Sequence, residues 1–312
     1  MFEIRRYAPQ DAEAWDRFVS CSKNGTFLFT RPYMDYHASR FTDHSLLFYD
    51  THGLYALLPA NQEGDTLHSH QGLTYGGVIV DERATVSGVC QLFRQLNDYL
   101  SQQHISKVIY KAVPWIYHRQ PSEEDLYAIA NICRGNMTVR HISTTISLSD
   151  PIHWRRDHRY GANKAFADGI TVGPSEDYEG FWRVLNDNLQ QKYGALPVHS
   201  LDEIQLLHNR FPQHIRLYIA EKDGVMFGGT VVYFCGEVAH AQYISATAEG
   251  KRHHAIDALF KHILTEESLG VQYFDFGKSS NGDGHDLNDT LVSQKEGFGG
   301  RGICYDWYEW TI

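Results

Sequence analysis

The chain has 312 residues, 42% of them apolar and 21% charged, which fits a folded globular protein and argues against disorder. With 28 basic and 38 acidic residues its formal net charge is −10, and both halves share the sign: −3 over residues 1–150 and −7 over residues 151–312. That balance argues against a general polyanion binder. No apolar run approaches the ~20 residues of a membrane-spanning helix.

Trp15, Phe18 and Val19 have helical spacing and predict a first helix. Residues 45–49 and 54–58 are short apolar runs around a turn, the pattern of a β-hairpin. A glycine-containing stretch follows at 72–77. Val89, Leu92, Phe93 and Leu96 form an i, i+3, i+4, i+7 stripe, residues 108–111 predict a strand, and Leu126, Ile129, Ala130 and Cys133 form another stripe. Ser122 with Asp125 is a weak capping box before Leu126. Residues 139–148 predict a closing strand. Residues 150–162 are polar and basic with no clear period, and then the order begins again. Phe181, Val184 and Leu185 have helical spacing, and Ser200 with Glu203 is a capping box before Ile204 and Leu207. Residues 215–220 and 225–234 flank a Lys222-Asp223-Gly224 turn. Residues 237–247 predict a further strand, Ile256, Leu259, Phe260 and Ile263 a helix, and residues 271–276 a strand. A helix beginning near Leu291 and a strand at 303–312 complete the chain.

Corresponding elements are offset by about 166 residues: Trp15 by 166 from Phe181, Val89 by 167 from Ile256, and Leu126 by 165 from Leu291. Both halves read helix, helix, hairpin, glycine-containing stretch, helix, strand, helix, strand. The chain is therefore expected to hold two copies of one α/β unit, residues 1–152 and 153–312. The five cysteines are widely spaced with no Cys-x-x-Cys, which suits a reducing cytoplasm, and buried thiols are expected at Cys90 and Cys133. Only His68/His70 and His253/His254 cluster among 18 histidines. Neither pair has a third ligand nearby, so no metal is expected. The first 20 residues show no signal-peptide pattern.

In the second half a hairpin, a further strand, a loop rich in Gly and basic residues, an amphipathic helix and a strand ending in Gly come in an order that resembles the GNAT acyltransferase fold. Two such units in one chain resemble the FemAB-like branch of that superfamily. The opening helix and Asn-Gly-Thr-Phe turn in 11–30, the basic helix in 155–172, and the Asp-Phe-Gly and Lys-x-Gly-Phe-Gly segments in 273–299 carry this resemblance. The fold class it implies is α/β, with two tandem GNAT-like units. Each unit is a mixed, mostly antiparallel sheet flanked by helices. The first is implied to hold the acceptor, and the second to bind the donor and carry catalysis.

In the GNAT fold the loop before the third helix holds the pyrophosphate of acyl-CoA on backbone N–H groups. The corresponding residues are Gly250, Lys251, Arg252, His253 and His254. The family pattern has a second small residue here, and this loop has the single glycine, Gly250. Simple alternation places His240 and Gln242 on one face of the 237–247 strand and Tyr243 and Ser245 on the other. Tyr243 reads as the acid that protonates a leaving thiolate and His240 as a base, or both as ordinary part-buried strand residues. Asp275 and Ser279 lie at the carboxyl edge of the sheet, where α/β ligands bind, or form a plain strand-to-helix connection. Lys295 reads as a neutraliser of phosphate or oxyanion, or as a helix C-terminal lysine. The resemblance makes Thr74 and Tyr75 acceptor-side candidates, or they belong to a plain glycine-rich turn between strands. Lys192 and His199 are expected in the loop between two helices, as a substrate contact or as part of a simple loop that ends in the capping Ser200. Arg155, Arg156, Arg159 and Lys164 read as surface decoration or an anion site.

These readings imply a cytoplasmic acyltransferase with acyl-CoA (acetyl-CoA) as co-substrate and no metal. It would act by direct transfer to an amine or hydroxyl of a small molecule or cell-envelope precursor. No nucleophile is flanked by a base and an orienting group. One alternative is aminoacyl-tRNA-dependent peptidyl transfer, the only reading with a nucleic-acid partner. The other is a non-catalytic GNAT-like binding protein, suggested by the loop at Gly250.

Overall fold

The computed structural model describes residues 1–265, 267 and 269–312. Two compact units make up the chain. The first holds Met1–Ile142, Ser280–Asp286 and Ile303–Ile312, and the second holds Ser143–Ser279 and Leu287–Gly302. The sequence repeat is visible element by element. Helices Ala12–Cys21 and Tyr178–Tyr193 begin 166 residues apart, as do strands Lys107–Lys111 and Tyr273–Lys278. Helices Glu124–Asn131 and Asp289–Gly297 begin 165 residues apart. The two units differ at the second helix, which is a four-residue turn, Arg31–Met34, in the first and a ten-residue helix in the second.

In the first unit, Leu46–Asp50 pairs antiparallel with Glu3–Arg6 and Gly53–Leu58, and Gly53–Leu58 pairs with Ile79–Val80. Lys107–Lys111 runs parallel to Thr66–His68 and antiparallel to residues 307–311. The stripe Val89, Leu92, Phe93 and Leu96 is fully buried, and packs with Phe48, Val108, Tyr110 and Ile129 into one core. Cys90 and Cys133 are buried. The capping box expected at Ser122 does not form. The helix starts at Glu124, Asp125 turns inward to accept the Tyr110 hydroxyl at 2.5 Å, and the Ser122 hydroxyl is buried without a partner.

The second unit carries the elements labelled from here on. They are β1 (Asn136–Ser147, its last residues), α1 (Arg156–Ala167), β2 (Thr171–Ser175), α2 (Tyr178–Tyr193), α3 (Leu201–Arg210), β3 (Ile215–Lys222), β4 (Val225–Cys235), β5 (Val238–Ala246), α4 (Ala248–Arg252), α5 (Ala255–Thr265), β6 (Tyr273–Lys278) and α6 (Asp289–Gly297). Strands β2 to β5 form an antiparallel meander, β6 joins β5 in parallel, and β1 joins β6 antiparallel. Ala255, Leu259, Phe260 and Ile263 of α5 bury one sheet face against Val232, Ala239, Phe274 and Phe276. At roughly 25 cal/mol per Å² this burial is the main stabilising term. Ser200 closes its capping box on α3. Its Oγ accepts from the Glu203 amide at 3.1 Å, and the Glu203 carboxylate accepts from the Ser200 amide at 2.8 Å. Helix α2 runs to Tyr193 and stops at Gly194 in the left-handed region, φ +62°. Lys192 therefore sits on its last turn rather than in the loop.

Candidate active site

The second unit is opened by its own strand register. β5 and β6 pair over three rows only: Val238 with Tyr273, Ala239 with Phe274, and His240 with Asp275. Beyond Asp275 the pairing of β6 shifts until Lys278 meets Ser143 of β1, while β5 continues along β4. The two strands thus part after His240 and Asp275. Gly277 lies just past the parting at φ +76°, a conformation that glycine adopts without strain. β5 also carries a bulge. Tyr243 pairs with Val231 and Ala241 with Val232, so Gln242 is an extra residue. A bulge reverses the alternation. The expectation that His240 shares a face with Gln242 is therefore corrected: by register, His240, Tyr243 and Ser245 share one.

Under the parting is a cavity of about 370 Å³. Ile244 and Ala246 of β5, Ile256 and Phe260 of α5, Phe276 of β6 and Phe298 form its apolar wall, and Lys192, Ser245, Lys251 and Lys295 also line it. Phe276 and Phe298 stack at 5.5 Å between centroids and fix one side. The cavity shares Asn188, Ala246 and Lys251 with a more open groove of about 520 Å³, whose charged lining is Asp177, Arg183, Asp187 and Lys251. Lys251 donates to Asn188 Oδ1 at 2.7 Å where the two spaces meet.

The remaining basic-loop residues are engaged elsewhere. Residues 248–252 form a short helix rather than an open loop. Thr247 Oγ1 accepts from the Gly250 amide at 2.9 Å, and a Cβ on Gly250 would lie 2.0 Å from the Phe227 carbonyl oxygen, so the glycine serves close packing on β4. Arg252 and His253 both pair with Glu249, and His254 Nδ1 lies 3.0 Å from Asp257. Of the five residues expected to hold the donor, only Lys251 lines the cavity.

Asp275 is fully buried. Its Oδ1 accepts from Ser143 Oγ, from Thr145 Oγ1 at 2.9 Å and from the Gly277 amide at 3.3 Å, and its Oδ2 lies 2.8 Å from His240 Nδ1. Ser143 and Thr145 went unnoticed in the sequence, because they lie some 130 residues before Asp275 on a strand read only as a closing strand. Lys295 is buried and donates to the carbonyls of Gly277 at 2.8 Å and Lys278 at 2.9 Å and to Ser279 Oγ at 2.9 Å. Burial lowers both Lys278 and Lys295 to about 8, against the opposing pull of Asp275. Tyr243 accepts from the His199 amide at 3.2 Å and lies 2.5 Å from His199 Nδ1, and burial raises its phenol to about 12. It is a neutral proton donor across the physiological range. Ser245 Oγ accepts from Asn188 at 3.2 Å and donates to the Val184 carbonyl at 3.3 Å. Thr74 and Tyr75 belong to the first unit, where Tyr75 is buried against Tyr117 and donates to Thr26 at 3.3 Å. Among the described residues no group of three or more His, Cys, Asp or Glu is placed to hold a metal, and no helix is long and apolar enough to cross a membrane.

Residues 153–285 match the family model described as an acetyltransferase (GNAT) domain. No curated protein matches the chain. Among solved structures the chain is similar to FemX, with a TM-score of 0.71, 10% identity, and coverage of 99% of this chain and 97% of that one. It is similar to the C-terminal domain of a putative lysylphosphatidylglycerol synthetase from Agrobacterium fabrum, with a TM-score of 0.60, 13% identity, and coverage of 96% and 91%. A tandem GNAT protein from the clavulanic acid biosynthesis pathway gives a TM-score of 0.54 at 10% identity, covering 100% and 98%. The match to a GNAT domain thus falls on residues 153–285, the stretch in which β5 and β6 part. Over its whole length the chain shares its α/β fold with FemX and with that tandem GNAT protein.

Proposed function

We propose that the chain transfers an acyl group from an acyl-CoA thioester, acetyl-CoA being the simplest, to an amine or hydroxyl of a small molecule or cell-envelope precursor in the cytoplasm. The observation that carries this reading is the parting of β5 from β6 above the cavity lined by Phe276 and Lys295. A narrow thioester arm fits such a slot, and the edge of β5 past Ala241 faces it with backbone groups that β6 does not pair. Oriented backbone donors of this kind stabilise the oxyanion of acyl transfer. Lys251, at the junction with the open groove, meets the donor's phosphates. Tyr243, held protonated, supplies the leaving thiolate with a proton, relayed through His199. Transfer is direct, with no acyl-enzyme.

Melting temperature with and without acetyl-CoA, free CoA and longer acyl-CoAs tests the donor. A ligand at ~100 times its dissociation constant stabilises by about 2.7 kcal/mol, an easily measured shift. The shift is expected to fall on Lys251→Ala. Absence of a shift with every CoA species at millimolar concentration would overturn the donor assignment.

One observation favours a second reading, aminoacyl transfer from charged tRNA. The Gly250 amide is already capped by Thr247, and the outer groove sets Asp177 and Asp187 beside its two cations. An aminoacyl donor carries an ammonium that such carboxylates accommodate, and the fold is shared with a protein named a lysylphosphatidylglycerol synthetase.

A further inference from the structure

Both units part the same pair of strands at the same row. In the second unit β5 and β6 pair from Val238 with Tyr273 to His240 with Asp275. In the first unit Thr66 pairs with Lys107, Leu67 with Val108 and His68 with Ile109, again in parallel. Each leading strand then pairs with its antiparallel neighbour, Ser245 with Gly229 and Ile79 with Leu57. That neighbour advances equally in both units, from Tyr233 to Gly229 and from Asn61 to Leu57. The leading strand does not: β5 has residues 241–244 between those rows, and the first unit has residues 69–78. The surplus thus lies wholly at the parting, and it fills the gap. The Ser69 amide donates to the Ile109 carbonyl at 2.9 Å, and Ser69 Oγ accepts from the Lys111 amide at 2.7 Å. The Gly76 amide donates to the Lys111 carbonyl at 2.9 Å, and the Val78 amide to the Tyr110 hydroxyl at 2.8 Å. The Lys111 ammonium donates to the carbonyls of Gln71 and Leu73, each at 3.0 Å. Ser69, Leu73, Tyr75 and Val78 are buried, and a Cβ on Gly76 would collide with the Ser69 carbonyl oxygen. Behind this segment the walls are closed. Val89, Phe93, Tyr110 and Ile129 stand at the repeat positions of Ile256, Phe260, Phe276 and Gln294, which line the cavity of the second unit, and all four are buried in one core. One exchange accompanies the difference. Lys295 donates to the Gly277 carbonyl, and its repeat position in the first unit is Ala130. The carbonyl that corresponds to that of Gly277 is the one of Lys111, which the Gly76 amide takes instead.

We propose that the chain binds one donor, in the second unit, and that residues 69–78 are a plug built into the first unit at the place the donor's arm takes in the second. The identity of the donor rests on the acyl-CoA reading; the plug does not. Parting two strands inside a sheet strips backbone groups of their ladder partners, and buried groups of that kind must be paired again. The first unit pairs them with its own chain, through Ser69, Gly76 and Val78. The second unit secures the end of β6 with Lys295 and keeps a cavity of about 370 Å³. A tethered segment faces its slot at an effective concentration of about millimolar or more, so a free donor does not compete with it. The repeat therefore keeps the fold twice and the slot once.

Calorimetric titration of the full chain with acetyl-CoA, and amide hydrogen exchange with and without it, test both parts. One molecule per chain is expected, with exchange slowed in residues 244–251 and 291–298 and unaltered in residues 89–93 and 126–133. Two molecules per chain, or slowing in 89–93 and 126–133, would overturn the proposal. Before any ligand is added, the Gly76 and Val78 amides are expected to exchange about 100-fold more slowly than an exposed loop amide. Gly76→Ala, whose Cβ has no room, is expected to speed both by about tenfold or more. Should that variant fail to fold, Lys111→Met, which removes two of the plug's hydrogen bonds, is expected to act in the same direction. Rapid exchange of these amides in the intact chain, or exchange that neither variant alters, sinks the plug. If acetyl-CoA does not bind at all, the acyl-CoA reading fails. The Gly76 and Val78 amides, which need no donor, then decide the plug alone: slow exchange supports it and rapid exchange refutes it.

Discussion

Lys295 shows how one residue is divided between stability and site. Its three ammonium hydrogens have three oxygen partners within 2.9 Å, on Gly277, Lys278 and Ser279. The role open to it is thus to hold the end of β6 in place and project its charge, rather than to give a hydrogen to the substrate. Burial has a cost that can be measured. The unfolded chain keeps this proton to about 10.5 and the fold releases it at about 8. Between those values the unfolded state binds more protons, so the contribution of Lys295 to stability rises with pH across that window. The rise is on the order of 3 kcal/mol at most. Urea unfolding of the intact chain and of Lys295→Met at pH 7.5 and at pH 10 is expected to show Met as the less stable at both. The gap is expected to widen at the higher pH. A gap that stays constant would mean that burial does not depress this lysine.

The start of α3 couples a helix cap to the site. Ser200 caps the helix, and the adjacent His199 meets Tyr243 through both its amide and its ring. Ser200→Ala is expected to cost about 1 kcal/mol. It should also loosen His199, so that Tyr243 ionises below 12 in an ultraviolet titration; an unchanged phenol would separate the cap from the site. Elements of this kind were legible in the sequence. The Ser200 box, the buried stripes and the offset near 166 all follow from periodicity and cap chemistry, which act over a few residues. The candidate site was legible as residue types and not as an arrangement. Asp275, His240 and Lys295 stood out, but their partnership depends on strand register. The Gln242 bulge reverses faces on β5, and Ser143 and Thr145 reach Asp275 from a distant strand. The Ser122 box failed for a related reason, since its acidic partner is spent on Tyr110 in the core. Local pattern cannot register a competitor that arrives through tertiary packing.

For the whole molecule, charge separates the two donors. The chain carries −10 overall, and its most basic helix, α1, is already partly neutralised: Arg155 pairs with Asp157 at 2.7 Å and Lys164 with Asp168 at 2.6 Å. Among the described residues this leaves Arg156 and Arg159 as the unpaired cations of that surface. Two such contacts fall well short of a tRNA footprint, because a protein that neutralises six to ten phosphates loses roughly 10³–10⁵ in affinity between 50 and 200 mM salt. A small anionic donor such as acyl-CoA needs no such footprint. Under the acyl-CoA proposal it would be held by a few local groups and by burial of its arm in the cavity, and that part of its binding would be insensitive to salt. Titration of the chain with uncharged tRNA and with acetyl-CoA at 50 and 200 mM salt is expected to show little tRNA retention at the higher salt. Acetyl-CoA affinity is expected to change by less than about tenfold. Retention of tRNA at 200 mM, with a steep slope at still higher salt, would place an extended phosphate-binding surface on the chain. It would transfer the cavity beneath β5 and β6 from a thioester to an aminoacyl ester.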